Sequence, residues 1–126
     1  MTHWYSRPII PVADVPASLR YYVDALGFSE AWRHEEDGRL LIAQVGRDGC
    51  ELILSSQWPD KVGQAIMFIS LDEDVLTALR ADLESRGVET KDGWWGYKLM
   101  VRHDPDGNEL LFPYPAEAEK AKNVDA

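Results

Sequence analysis

A chain of 126 residues, 45% hydrophobic with five Trp and five Tyr, fits one compact domain with a substantial core, and no stretch is of low complexity. Its net charge of −9 argues against nucleic acid and against an anionic membrane surface as partners, while it permits a cationic ligand. No apolar run approaches the roughly 18 residues needed to span a bilayer, no secretory signal opens the chain, and the single Cys50 cannot form an internal disulfide, so the expected location is cytoplasmic.

In chain order, Arg7 to Val12 reads as an edge strand bent by Pro8 and Pro11, a construction that invites exchange with a neighbouring chain. Asp14 is placed to cap a helix with Pro16 in its first turn, Leu19, Tyr22, Val23 and Leu26 at helical spacing, and Gly27 as its stop. Strands follow over Ser29 to Glu35, Arg39 to Val45 and Cys50 to Leu54, joined by Asp37-Gly38 and Asp48-Gly49 turns. Ser55 to Gly63, with Trp58, is loop-like. A strand over Ala65 to Leu71 and a helix from about Asp74 to Arg86 come next, with Val75, Leu76, Leu79 and Leu83 for its buried face and Gly87 as its stop. The last strands are Val88 to Lys91, Tyr97 to Arg102 and Glu109 to Phe112, with Asp92-Gly93-Trp94-Trp95-Gly96 as an aromatic loop. The tail after Tyr114 is rich in Ala, Glu and Lys and reads as an exposed helix or a disordered end.

The chain repeats itself. Asp48, Gly49 and Glu51 recur 58 residues on as Asp106, Gly107 and Glu109, and Asp14 recurs as Asp72. The second copy ends in the densest turn chemistry of the chain, Asp104-Pro105-Asp106-Gly107-Asn108, between apolar runs that make a hairpin. The implied class is α+β, with βαβββ modules over residues 7–55 and 64–114 and a tail over 115–126, in a single domain. Each module is too small to bury a core well alone.

Pro8 to Val15, Tyr21-Tyr22, Leu26-Gly27-Phe28, Trp95-Gly96 and Asp104 to Asn108 together resemble the glyoxalase, bleomycin resistance protein and extradiol dioxygenase superfamily, the vicinal oxygen chelate fold. The resemblance covers nearly the whole chain and is specific for fold, less so for function. It implies two βαβββ modules whose sheets curl around a shared cavity, helices outside, in a homodimer. It also implies, in the family's metalloenzymes, a divalent ion held from the first and last strands of each module. In this sequence those positions fall on Arg7, on Ala65 or Ile66 depending on register, on Leu111, and, through the repeat, on Ile53. None offers a usual donor, so no metal or cofactor is expected. His3, His34 and His103 lie outside those positions.

Strand alternation places Glu51 with Ile53, and Glu109 with Leu111, on the face that the family turns toward its cavity. Three readings stand for this carboxylate pair: acid and base work, attraction of a cation, or solvation at strand ends. Trp32, Trp58, Trp94 and Trp95 offer π faces to a planar ligand, against the alternative of core or interface packing. The leading functional expectation is a metal-free binding protein of the bleomycin resistance type that sequesters a planar cationic antibiotic or related metabolite. Its candidate ligand residues are Arg7, Trp32, Glu51, Trp58, Trp94, Trp95, Glu109 and Leu111. The alternative is a lyase, isomerase or dioxygenase of the same superfamily with a displaced metal site.

Overall fold

A computed structural model describes residues 4–96 and 98–115. The chain divides into two compact units, Met1–Ala65 and Ile66–Ala126, each built on one four-stranded mixed sheet.

In the first unit the strand order is β1-β4-β3-β2, with β1 at Ile9–Pro11, β2 at Ser29–Glu36, β3 at Arg39–Arg47 and β4 at Cys50–Ser55. The Asp-Gly turns behave as their chemistry requires: Asp37 and Gly38 take φ of 50° and 77°, Asp48 and Gly49 of 49° and 87°. Two successive positive φ values match the right-handed twist of the flanking strands and fix both hairpin registers. The first strand pairs in parallel with β4 of its own chain, Ile9 opposite Ile53.

Helix α1 (Val15–Arg20) starts where Asp14 Oδ1 accepts the Ala17 N–H at 3.2 Å. Its continuation differs from the simple helix expected: Tyr21–Ala25 is a π-helical turn. The widened turn lets Phe28 N donate to the Tyr22 carbonyl at 2.9 Å and sets Tyr22 edge-on to both Tyr21 and Phe28, with ring centroids 5.7 and 5.8 Å apart. Tyr22 is fully buried, and Val15, Leu19 and Leu26 from the helical segment and Val45, Leu52 and Leu54 from the sheet are buried with it in the core of this unit. Arg47 Nη1 donates to the Leu26 carbonyl at 2.6 Å, satisfying an acceptor that the helix end leaves over. Strand β2 is exposed along its whole length.

The second unit orders its strands β5-β8-β7-β6, with β5 at Ile66–Phe68, β6 at Lys91–Trp94, β7 at Lys98–His103 and β8 at Glu109–Pro113. Helix α2 (Glu73–Ser85) buries Leu76, Leu79 and Leu83, and Gly87 at φ 76° ends it. Val75, expected on the buried face, is 39% exposed, since it lies one residue outside the stripe that Leu76, Leu79 and Leu83 form. Strand β5 is shorter than its apolar sequence suggested, and β6 begins at Lys91 rather than ending there. Asp92, Gly93 and Trp94 therefore belong to a strand paired with Met100, Leu99 and Lys98, not to a loop. Pairing partners held them extended against their turn-like composition. Tyr97, His3 and the tail beyond Pro115 lie outside the described residues.

The hairpin between β7 and β8 is tied from within. Asp104 Oδ1 accepts the N–H groups of Asp106 and Asn108 at 3.0 and 2.9 Å, and Asn108 Nδ2 donates to Asp104 Oδ2 at 2.9 Å. Both side chains are buried, Asn108 completely. Among the described residues no helix is long and apolar enough to cross a membrane.

Candidate functional site

Strand alternation in the second unit sends Leu110 and Phe112 to the helix side and leaves Glu109 and Leu111 on the opposite, open face. There they lie across from His103 and Val101 of β7. Leu99, Val101 and Leu111 form the floor of a cavity of about 460 Å³, which Gly93 keeps clear by lacking a side chain. Ile66 and Phe68 from β5, with Trp94 and Trp95 from the far edge of the sheet, make its walls. The Phe68 and Trp95 rings meet at 5.5 Å with an interplanar angle of 62°, an edge-to-face contact spanning the two central strands. Among the described residues Glu109 is the one charged residue lining this cavity. Its Oε2 lies 3.3 Å from His103 Nε2, at the polar end of an otherwise apolar space.

Trp94 and Trp95 do not act as one aromatic loop. Trp95 meets Phe68, whereas Trp94, opposite Lys98, remains 74% exposed at the rim. Phe68 and Val101 were not singled out from sequence, and Ile66 was read only as a counterpart of Arg7, although the alternation of Ile66 and Phe68 around the buried Met67 carries the signal.

The strand bearing Gly93 and Trp94 is held from its other side. Tyr114 Oη donates to Asp92 Oδ1 at 2.5 Å, Arg80 of α2 donates to the same Asp92 oxygen at 3.1 Å and to the Tyr114 hydroxyl, and Lys98 Nζ stands 3.6 Å from Asp92 Oδ2. The hydrogen bond from Tyr114 holds the Asp92 carboxyl below the ordinary carboxylate range, aided by Arg80 and Lys98. Burial pushes the Tyr114 phenol up to about 12, with Asp92 adding to the shift. A phenol raised in the folded state stabilises the fold fully below its ordinary value of 10.0, and that contribution is lost as pH rises to about 12. Stability measured by urea unfolding is therefore expected to fall between those pH values in the native protein more steeply than in Tyr114→Phe. Equal slopes would dissociate Tyr114 from this network.

In the first unit the open sheet face collects other candidates around a residue not singled out from sequence. Arg7 Nη1 and Trp32 Nε1 both donate to Gln44 Oε1, at 2.8 and 2.7 Å. A lone amide within the apolar run Leu40 to Val45 was the available signal. Arg7 also sits 5.5 Å above the Tyr5 ring centroid. Glu51 is opposite Gly46, with Ile53 two residues on along the same strand opposite Gln44. Trp58, 39% exposed before the 3-10 turn Pro59–Lys61, joins neither the cavity lining nor the Gln44 bonds.

The register left open for the second unit is resolved by pairing. Ile9 sits opposite Ile53 and Phe68 opposite Leu111, so the counterpart of Arg7 is Ile66 rather than Ala65. Arg7, Ile66, Ile53 and Leu111, the positions on which the family resemblance places an ion, carry no side chain that fits a divalent metal. Among the described residues no group of three or more His, Cys, Asp or Glu converges. Cys50 is half-buried, and burial pushes its thiol up, away from a reactive thiolate.

Known structures share this architecture. A bleomycin-binding protein from Streptomyces verticillus, complexed with copper(II)-bleomycin, superposes with a TM-score of 0.67 at 23% identity, covering 90% of this chain and 97% of that one. TnmS3, an antibiotic binding protein from Streptomyces sp. CB03234, gives 0.68 at 23% identity over 90% and 97% of the two chains. A lactoylglutathione lyase from Agrobacterium tumefaciens gives 0.66 at 14% identity over 90% and 95%. At such identities these likenesses speak for the fold alone. No curated protein sequence matches the chain. The sequence profile of one family matches residues 3–112, nearly the whole of both repeats, and the chain belongs to the Glyoxalase/Bleomycin resistance protein/Dioxygenase superfamily.

Proposed function

We propose that this protein binds and sequesters a planar, cationic antibiotic or related metabolite without altering it, as a cytoplasmic homodimer and without metal or cofactor. The observation that carries the reading is the cavity of the second unit, where a Trp95 and Phe68 wall and an aliphatic floor meet the carboxylate of Glu109. Aromatic faces and one negative group suit a flat cation, which gains from stacking, cation–π attraction and charge pairing together. The acidic chain draws such ligands in. Ile66 and Trp95, 67% and 63% exposed, support a partner chain over this face. The names of the two Streptomyces relatives agree with this reading, and a non-donor at each usual metal position weighs against the lyase, isomerase or dioxygenase alternative.

The test is a titration followed by Trp fluorescence, with a cationic planar dye and its neutral isostere, at two salt concentrations. Trp95→Ala is expected to weaken both by about 1–3 kcal/mol, the loss of an aromatic anchor that a bound ligand would stack on and cover. Glu109→Gln should weaken the cation selectively, and less so at high salt. Equal losses for cation and isostere would remove the electrostatic half of the proposal, and unchanged affinity in folded Trp95→Ala the stacking half. Metal analysis that finds about one tightly held divalent ion per chain, or sedimentation as a monomer at micromolar concentration, would overturn the metal-free or dimeric parts.

A further inference from the structure

Strands β5 and β6 are the two edges of the second sheet, with β8 and β7 between them. Three strand steps, about 14 Å of backbone spacing, separate those edges. Even so, the rings of Phe68 on β5 and of Trp95, the residue after β6, meet with centroids 5.5 Å apart. Each side chain therefore reaches inward from its own edge, over the open face of the strands between. Below them run the floor residues: Phe68 pairs with Leu111, Leu111 with Val101, and Leu99 with Gly93, two residues before Trp95. All of these residues line the same cavity. Burial follows the order that a roof requires, since Leu99 is 2% exposed although it lies on the open face, whereas Phe68 and Trp95 are 43% and 63% exposed. At Gly93 the floor carries no side chain, and an added Cβ there would strike Val101 Cγ2 at 2.8 Å.

A space with a packed floor below and an aromatic bridge above sorts its guests by thickness. Attraction to aromatic faces favours flat guests by degrees. A bridge adds the rejection of thick ones, because parting the rings forfeits their contact and uncovers the floor, and such rejection is the other half of specificity. We propose that Phe68, seated against Trp95, is a specificity-determining residue of this site. A single flat ring system lies between the bridge and the floor of Leu99, Val101 and Leu111, with its charged end at Glu109, while a cation of equal charge and globular carbon frame is shut out. Trp95 supplies the face on which a ligand stacks, so its loss costs every ligand; Phe68 closes the gap, so its loss admits ligands that the native protein refuses. The inference rests on the reading of this cavity as the ligand site.

The experiment is calorimetric titration of the full chain with naphthylmethylammonium and adamantylmethylammonium, which share one charged group and one carbon count but differ in thickness. The native protein is expected to bind the naphthyl ion at least about tenfold more tightly. In Phe68→Ala the adamantyl ion should gain at least about threefold in affinity while the naphthyl ion loses, as removal of a steric barrier predicts and removal of an attractive wall does not. Should that variant not fold, Phe68→Leu carries the same expectation, because it also opens the bridge and keeps an apolar side chain on β5. In the native protein, nuclear Overhauser contacts from the bound naphthyl protons should reach both the Phe68 and Trp95 rings and the methyl groups of Leu99 and Val101. Equal affinity of the two ions for the native protein, no gain for the adamantyl ion in whichever variant folds, or contacts to the rings without the floor methyls would overturn the proposal. If the naphthyl ion binds and depends on Glu109 while any of those results holds, this inference falls and the cavity reading stands; if neither ion binds, both fall.

Discussion

Asp104→Ala is expected to lower the free energy of unfolding by about 3 kcal/mol, a large fraction of the stability of a small protein. The carboxylate accepts two backbone N–H groups of its own turn and the side-chain amide of Asn108, which is fully buried. Truncation removes all three bonds at once from a tip where water cannot reach the Asn108 side chain, the costly side of hydrogen-bond energetics. The effect extends beyond the turn, because the tip sets how Glu109 and Leu111 of β8 stand against His103 and Val101 of β7, the register of the cavity floor. Urea denaturation of Asp104→Ala, Asn108→Ala and the double variant checks this. The cycle should return a coupling above about 1 kcal/mol, as for residues of one hydrogen-bonded network, and simple additivity would mean that the two side chains act independently.

Gly93→Val should be nearly as damaging and should abolish the cavity. A Cβ at Gly93 would come within 2.8 Å of Val101 Cγ2, closer than non-bonded carbons approach, and a stiff β-branched neighbour cannot swing away cheaply. Overpacking of this kind costs about 1–3 kcal/mol. Gly93 does not occupy the left-handed region, so the objection is steric rather than conformational. Gly46→Ala is the natural contrast: its added Cβ would meet Glu51 Cγ and the Cys50 carbonyl at 3.5 and 3.7 Å, ordinary contact. We expect thermal unfolding to separate the two variants clearly, and dye binding to vanish in Gly93→Val while surviving in Gly46→Ala. Full binding by Gly93→Val would show that the ligand does not enter this cavity.

Much of this architecture is legible before any coordinates. Turn residues speak locally, and so Asp37-Gly38, Asp48-Gly49 and Asp104 to Asn108 lie where their chemistry puts them, while Asp14 and Gly87 bound their helices as read. The repeat carries the strand, helix and three-strand order of each unit. What escaped depended on partners distant in sequence. Asp92 to Trp94 look like a loop until β7 pairs with them, and the π turn at Tyr21–Ala25 answers to the packing of Tyr22 rather than to any local motif. In the site, alternation was enough to bring Glu109 and Leu111 to the cavity, but Phe68 becomes a wall only through Trp95, which approaches from the opposite edge. Gln44 gains meaning only once Arg7 and Trp32 converge on it.

A sheet with open edges invites foreign strands to dock, and the two borders of the first sheet deny them by different means. Every residue of β2 is exposed, and Glu30, Arg33, Glu35 and Glu36 give that border a dense array of charge, with Arg33 paired to Glu30 at 2.5 Å. An incoming strand would have to desolvate those groups along the ladder. On the other border Pro8 and Pro11 flank and close a strand of three residues, and neither has an N–H to offer a stranger. The unit therefore keeps a broad, partly apolar face open without exposing an edge that would seed fibrillar association.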